Sequence, residues 1–156
     1  MKLKEPRFER VGELLFVGLK QRVPLREMQN IAGQWQQFMT EMYGEISEKL
    51  AEPPVGITTG MDDDSIEYVC GTGVRQFGRM PKGCSKLIIP PATYAVFAHD
   101  GHVTELHDTY NAIWNVWFPK SGKRPAEAAG FERHNATFDP RTGNGGVTIW
   151  LPIQGG

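Results

Sequence analysis

The stretch from Arg79 to Trp117, RMPKGCSKLIIPPATYAVFAHDGHVTELHDTYNAIWNVW, constrains this chain more than any other. Leu87, Ile88 and Ile89 run into Pro90-Pro91, and an apolar run resumes from Thr93 to His99. Asp100-Gly101 then turns the chain, because Gly tolerates positive φ and Asp bonds its own backbone. Beyond the turn the apolar period changes. Leu106, Tyr110, Ile113, Trp114 and Trp117 fall on one face of a helix. Thr104 is the expected N-cap, Glu105 complements the positive end of the dipole, and Pro119, with Gly122 and Pro125 beyond, is expected to stop the helix. A chain that goes strand, turn, helix in this order must cover a sheet with helices.

The remainder supplies similar elements. Arg10 to Lys20 is an apolar, strand-like run, and Met28, Ile31, Trp35, Phe38, Met39, Met42 and Ile46 repeat at helical spacing. Gly44 is expected to end or bend that helix. Val55–Gly60 and Ile66–Gly71 read as strands, separated by a polar turn, Met61 to Ser65. The second half repeats the order: strand 86–99, helix 103–118, strand 131–136, a Thr142-Gly143-Asn144-Gly145 turn and strand 146–153. Asn-Gly between strand-like runs is a hairpin signal. The expected fold is therefore α+β: duplicated β-α-β-β modules, spanning about 8–80 and 84–154, with two main helices on an antiparallel-rich sheet.

Length and charge set limits on this picture. A chain of 156 residues fits one domain with a sizeable core. Its 17 Lys and Arg nearly balance 18 Asp and Glu, which argues against a basic nucleic-acid surface. No apolar run approaches the roughly 18 residues of a membrane span, and MKLKEPRFER lacks a signal peptide's apolar core. Cys70 and Cys84 are not spaced as C-x-x-C, so the expectation is cytosolic thiols and a cytoplasmic protein. The residues before Arg10 are too few for a helix-turn-helix, so no DNA-binding domain is expected in 1–156.

Pro81-Lys82-Gly83, Ile89-Pro90, Tyr94-Ala95-Val96-Phe97, Gly101, Trp114 and Phe118-Pro119-Lys120-Ser121-Gly122 follow one another in a recognisable order. In this the chain resembles the GyrI-like effector-binding domains of AraC- and MerR-type regulators, over about Phe8 to Ile153. The resemblance implies two related β-α-β-β modules about a pseudo-two-fold axis with a ligand cleft between the halves. It also implies that Trp35, Tyr68, Tyr94, Trp114, Phe118 and Trp150 line that cleft. Phe131-Glu132-Arg133-His134 matches an F-E-x-aromatic pattern, with His134 where Tyr is more usual. In multidrug-binding members the Glu of that pattern meets a cationic ligand, which makes Glu132 and His134 ligand-binding candidates.

The physical logic of Glu132 stands beside the resemblance. A carboxylate among aromatic faces is poorly solvated, so a lipophilic cation recovers energy there that water would otherwise supply. Aromatic rings add about 0.5–2 kcal/mol of cation–π attraction and tolerate varied shapes. Set against this, aromatic residues at helical spacing are usually core, and an exposed Glu paired with a neighbouring base is the common alternative. Glu67 occupies the analogous strand of the first half; strand alternation leaves a cleft role and an outward role equally open.

Other chemistries find less support. His99, His102 and His107 are close in sequence, but no completing carboxylate or Cys is placed with them; surface or turn histidines and no metal are expected. Asp62-Asp63-Asp64 lacks the ligand offsets of a Ca²⁺ loop. No nucleophile motif or phosphate loop is present, and no catalytic residue or cofactor is indicated. The leading expectation is stand-alone binding of amphipathic cations for sensing or sequestration. The alternatives are hydrolysis of reactive cyclopropane-type genotoxins through a cleft Glu, or a protein-interaction module whose partner is a regulator or gyrase. Binding ranks ahead of turnover.

Overall fold

The computed structural model describes residues 3–102, 105–134 and 146–154. These fall into two compact units, Glu13–Pro90 and the combination of Met1–Gly12 with Pro91–Gly156. Each is an antiparallel sheet with a helical segment against one face, which makes the fold α+β.

The unit Glu13–Pro90 contains β2 (Leu14–Pro24), β3 (Val55–Met61), β4 (Ser65–Gly73) and β5 (Ser85–Ile89), in the order β3-β4-β2-β5. Its helix starts as α1 (Asn30–Gln37), widens into a π turn (Phe38–Met42) and closes as a 3-10 turn (Tyr43–Glu45). It ends where Gly44 was expected to end it. Phe38, Met42 and Ile46 pack on Val17, Leu19, Tyr68 and Cys70, the residues that strand alternation sends to one face. Asp62 builds the turn between β3 and β4, its Oδ1 accepting the backbone N–H of Asp64 at 2.9 Å and of Ser65 at 2.8 Å.

The other unit has the corresponding order, β7-β8-β6-β1, from β1 (Arg7–Val11), β6 (Ala92–His99), β7 (Gly130–His134) and β8 (Val147–Ile153). Its helix runs as α2 (Leu106–Ala112), a π turn (Ile113–Trp117) and α3 (Phe118–Ser121). Ile113 and Phe118 pack against Ala95, Phe97, Ile149 and Leu151.

Several expectations need correction. The single strand expected over Arg10–Lys20 is two strands in different units: β1 pairs with β6, while β2 pairs with β4 and β5. The break falls at Gly12-Glu13, between two apolar runs, where the hydrogen-bond partner changes. The run 86–99 is likewise β5 and β6, divided at Pro90-Pro91, which cannot donate to a ladder. Pro119 does not stop the helix. The π turn before it displaces the carbonyl that its ring would otherwise meet, and the chain continues to Gly122, whose φ of 75° supplies the left-handed terminus. The Thr104 cap, the end of the 131–136 strand and the Asn144-Gly145 turn lie outside the described residues.

Candidate functional site

Strand register decides which residues share a face. In β6 and β8, Phe97 is opposite Ile149 and His99 opposite Val147, and this set faces the helix. Glu132 is opposite Ile149, so it too stands on the helix side. There the Tyr110 hydroxyl donates to Glu132 Oε2 at 2.5 Å. Glu132 as a residue keeps some exposure, yet its carboxyl is enclosed by protein. That desolvation raises its pKa, against the lowering pull of the Tyr110 bond and of the nearby His99.

His99 is a buried histidine, 3% exposed, and not the surface or turn residue that the sequence suggested. Its Nε2 donates to the His102 carbonyl at 2.8 Å, and its Nδ1 lies 2.7 Å from the Thr109 hydroxyl oxygen. Glu132, Tyr110, Thr109 and His99 thus form one polar group at the helix–sheet boundary. Only Glu132 was singled out from sequence; Tyr110 was placed on the apolar face and Thr109 was not considered. The available signal was Thr109-Tyr110 lying about one turn past the helix start at Leu106, polar groups where a purely apolar face would be cheaper.

Tyr110, Trp114 and Phe118 continue along the helix in steps of four, roughly one stripe. The Trp114 ring stacks on Phe118 with centroids 4.9 Å apart and planes 27° apart. Trp114, which helical period puts on the apolar face and the resemblance puts in a cleft wall, is 44% exposed. The π turn inserts an extra residue per turn, so Ile113 and Trp117 take the inward positions and Trp114 is rotated outward. A large flat apolar ring is thereby offered to solvent, one helical step of four residues from Tyr110. His134 is two residues from Glu132 and shares its face.

Tyr94 and Trp150 lie on the opposite face of the same sheet. Tyr94 packs on Phe131 at 5.1 Å and on Trp150 at 6.0 Å, and Phe131 stacks on Trp150 at 5.4 Å. Guanidinium groups already cover these rings: Arg133 sits 5.3 Å and Arg7 5.4 Å from the Trp150 centroid. Tyr94 is fully buried, and burial pushes its hydroxyl pKa up against the opposing influence of Arg133. The structure therefore does not bring Tyr94 and Trp150 together with Glu132.

In the unit Glu13–Pro90, Trp35 Nε1 donates to the Tyr68 hydroxyl at 3.1 Å. The Gln34 amide beside it donates to the carbonyls of Leu19 and Tyr68 at 2.9 and 3.0 Å, tying helix to sheet. Gly56 makes room for Tyr68, since a Cβ there would stand 2.0 Å from the hydroxyl. Glu67 points to the other face. Its carboxylate accepts from the Thr59 hydroxyl at 2.7 Å and faces Lys20 and Arg22 at 3.8 and 3.9 Å. The Thr59 bond, and secondarily Lys20 and Arg22, lower its pKa, the condition of an ion-paired surface carboxylate. Among the described residues no His, Cys, Asp and Glu cluster is arranged to hold a metal ion. No helix among them is long and apolar enough to cross a membrane.

Known proteins of this shape give the geometry a context. Of solved structures, that of SAV2435 bound to tetraphenylphosphonium superposes with a TM-score of 0.75, at 19% identity over 97% of this chain and 95% of that one. The EcmrR C-terminal domain superposes at 0.69, with 14% identity over 99% of both chains. At those identities the likeness establishes the fold. In sequence, the transcriptional regulator BrlR of Pseudomonas aeruginosa is 25% identical over 120 residues, 76% of this chain. The match spans only 44% of BrlR's length. The GyrI-like small molecule binding domain matches residues 4–154, and the chain belongs to that family.

Proposed function

We propose that this chain captures amphipathic cations, with Glu132 as the counter-charge and the exposed Trp114 ring, backed by Phe118, as the flat surface. The observation that carries this reading is the desolvated Glu132 carboxyl held by Tyr110, four residues along the helix from the exposed Trp114 ring. Removing a charge partner from such a carboxylate is costly, so an arriving cation gains what bulk water does not supply. Ring contact adds a further increment that depends on flatness rather than on hydrogen-bond pattern. The tetraphenylphosphonium held by SAV2435 is a ligand of this chemical kind. Trp35 and Tyr68 offer a separate aromatic surface in the other unit, whose share is measured by Trp35→Ala. Effector sensing or sequestration is the corresponding biological role, and BrlR, with which the chain shares sequence, is a transcriptional regulator.

The test compares tetraphenylphosphonium with the neutral triphenylphosphine oxide, by calorimetry and melting shift, on the native chain and on Glu132→Gln. Cation affinity is expected to fall by roughly tenfold or more in the variant, with neutral binding unchanged. Equal loss for both compounds, or for neither, would remove Glu132 from the counter-charge role.

A second reading is favoured by the raised pKa of Glu132, which suits a general acid or base. In it the same carboxyl activates water towards a reactive electrophile of the cyclopropane type. Product formation from such a compound, abolished in Glu132→Gln, separates turnover from capture. A protein partner, whether a regulator or gyrase, would instead bind without ligand and be indifferent to that substitution.

A further inference from the structure

On the side of the helix away from Trp114, residues 3–8 run along a groove of about 570 Å³. Ala112, Val116 and Lys120 line it in steps of four. That stripe is two positions, about 200°, round the helix from Tyr110, Trp114 and Phe118. Leu3, Phe8, Val116 and Trp117 make the apolar surface; Phe8 is 50% and Val116 49% exposed. Phe8 and Trp117 meet at 6.2 Å with planes tilted by 37°, leaving an open V instead of a closed stack.

The polar side of this groove is positive. Lys120 and Lys123 line it, and Lys123 Nζ is held 5.5 Å from the Phe8 ring centroid by cation–π attraction. Neither ammonium forms an ion pair among the described residues. Glu5 is the one carboxylate in the lining, against two ammoniums. The negative end of the helix offsets about half a charge. The volume is within the range of about 300–1,000 Å³ that small-molecule sites occupy.

We infer that this groove is a second ligand site, for small amphipathic monoanions of the aryl carboxylate kind. The ring of such a compound lies in the V of Phe8 and Trp117 over Val116, and its carboxylate meets Lys120 and Lys123. The charge sense is opposite to that of Glu132, and the site does not depend on the cation reading.

The test titrates the full chain with 2-naphthoate and with the neutral 2-naphthamide, by calorimetry and by the Trp117 indole resonance. Naphthoate is expected to bind roughly fivefold or more tightly than the amide and to move the Trp117 signal. Lys120→Gln with Lys123→Gln should erase the difference while leaving amide binding in place, and Glu132→Gln should leave both affinities unchanged. Equal affinity of the two compounds, a preference that survives the lysine substitutions, or dependence on Glu132 would overturn the inference. So would the absence of any naphthoate binding at about 1 mM. Failure of tetraphenylphosphonium to bind is a separate result and bears only on the Glu132 site.

Discussion

Glu132 sets stability and binding against each other. Burial raises its folded pKa, so the folded state favours the protonated carboxyl more than the unfolded chain does. That contribution is fully present below the unfolded value and is lost as pH rises through the folded one. Cation capture needs the ionised form and so strengthens over the same rise. Tyr110→Phe removes the donor that favours the carboxylate and moves the folded pKa further up. We expect the midpoint of tetraphenylphosphonium affinity, measured from about pH 5 to about pH 8, to shift upward in Tyr110→Phe. A downward shift would mean the hydroxyl bonds the protonated acid instead. The pairing of Tyr110 with Glu132 was not legible in the sequence, because neither helical nor strand period relates residues 22 apart.

At the scale of elements, periodicity found most of what is there. Strands near Val55, Ile66 and Val147, and both helices, have the expected type and position. What it missed has one physical origin: local pattern encodes burial, not partner or winding. The apolar run through Gly12 suits either sheet, so its division between two units was invisible. The π turn at Ile113–Trp117 left no mark on the apolar spacing, yet it turns Trp114 outward and lets Pro119 stay within the helix. With Pro119 accommodated, termination falls to Gly122. A Cβ there meets no neighbour, so the penalty is conformational alone. Gly122→Ala should cost about 1 kcal/mol in urea unfolding, and Gly122→Asn less. Loss of several kcal/mol would point to a packing role that the open surroundings do not suggest.

At the scale of the whole molecule, sequence order and spatial grouping differ. The duplicated β-α-β-β order is present in both units, but each sheet carries an additional edge strand, β5 in one and β1 in the other. The strand nearest the N-terminus is therefore structural for residues 91–154, not for the residues that follow it. Deleting residues 1–12 unpairs β6 along its outer edge and removes Phe8 from Trp117. Amide hydrogen exchange should speed up in β6 and α2 while β4 keeps its protection. Uniform loss in both units would show that they unfold as one.

The registers at the two crossover points add something more. Leu14 is the cross-strand neighbour of Ile89, and Val11 of Ala92. The segment 13–90 thus enters and leaves at adjacent positions, like a guest spliced into the tip of a β-hairpin. Joining Val11 to Ala92 through a two-residue Asn-Gly loop would restore an ordinary hairpin and excise the guest. Read from the other side, β5 and β2 form the hairpin and the remaining residues are the insert, a circular permutation of the same plan. Each module thus lends its neighbour a strand instead of closing on itself.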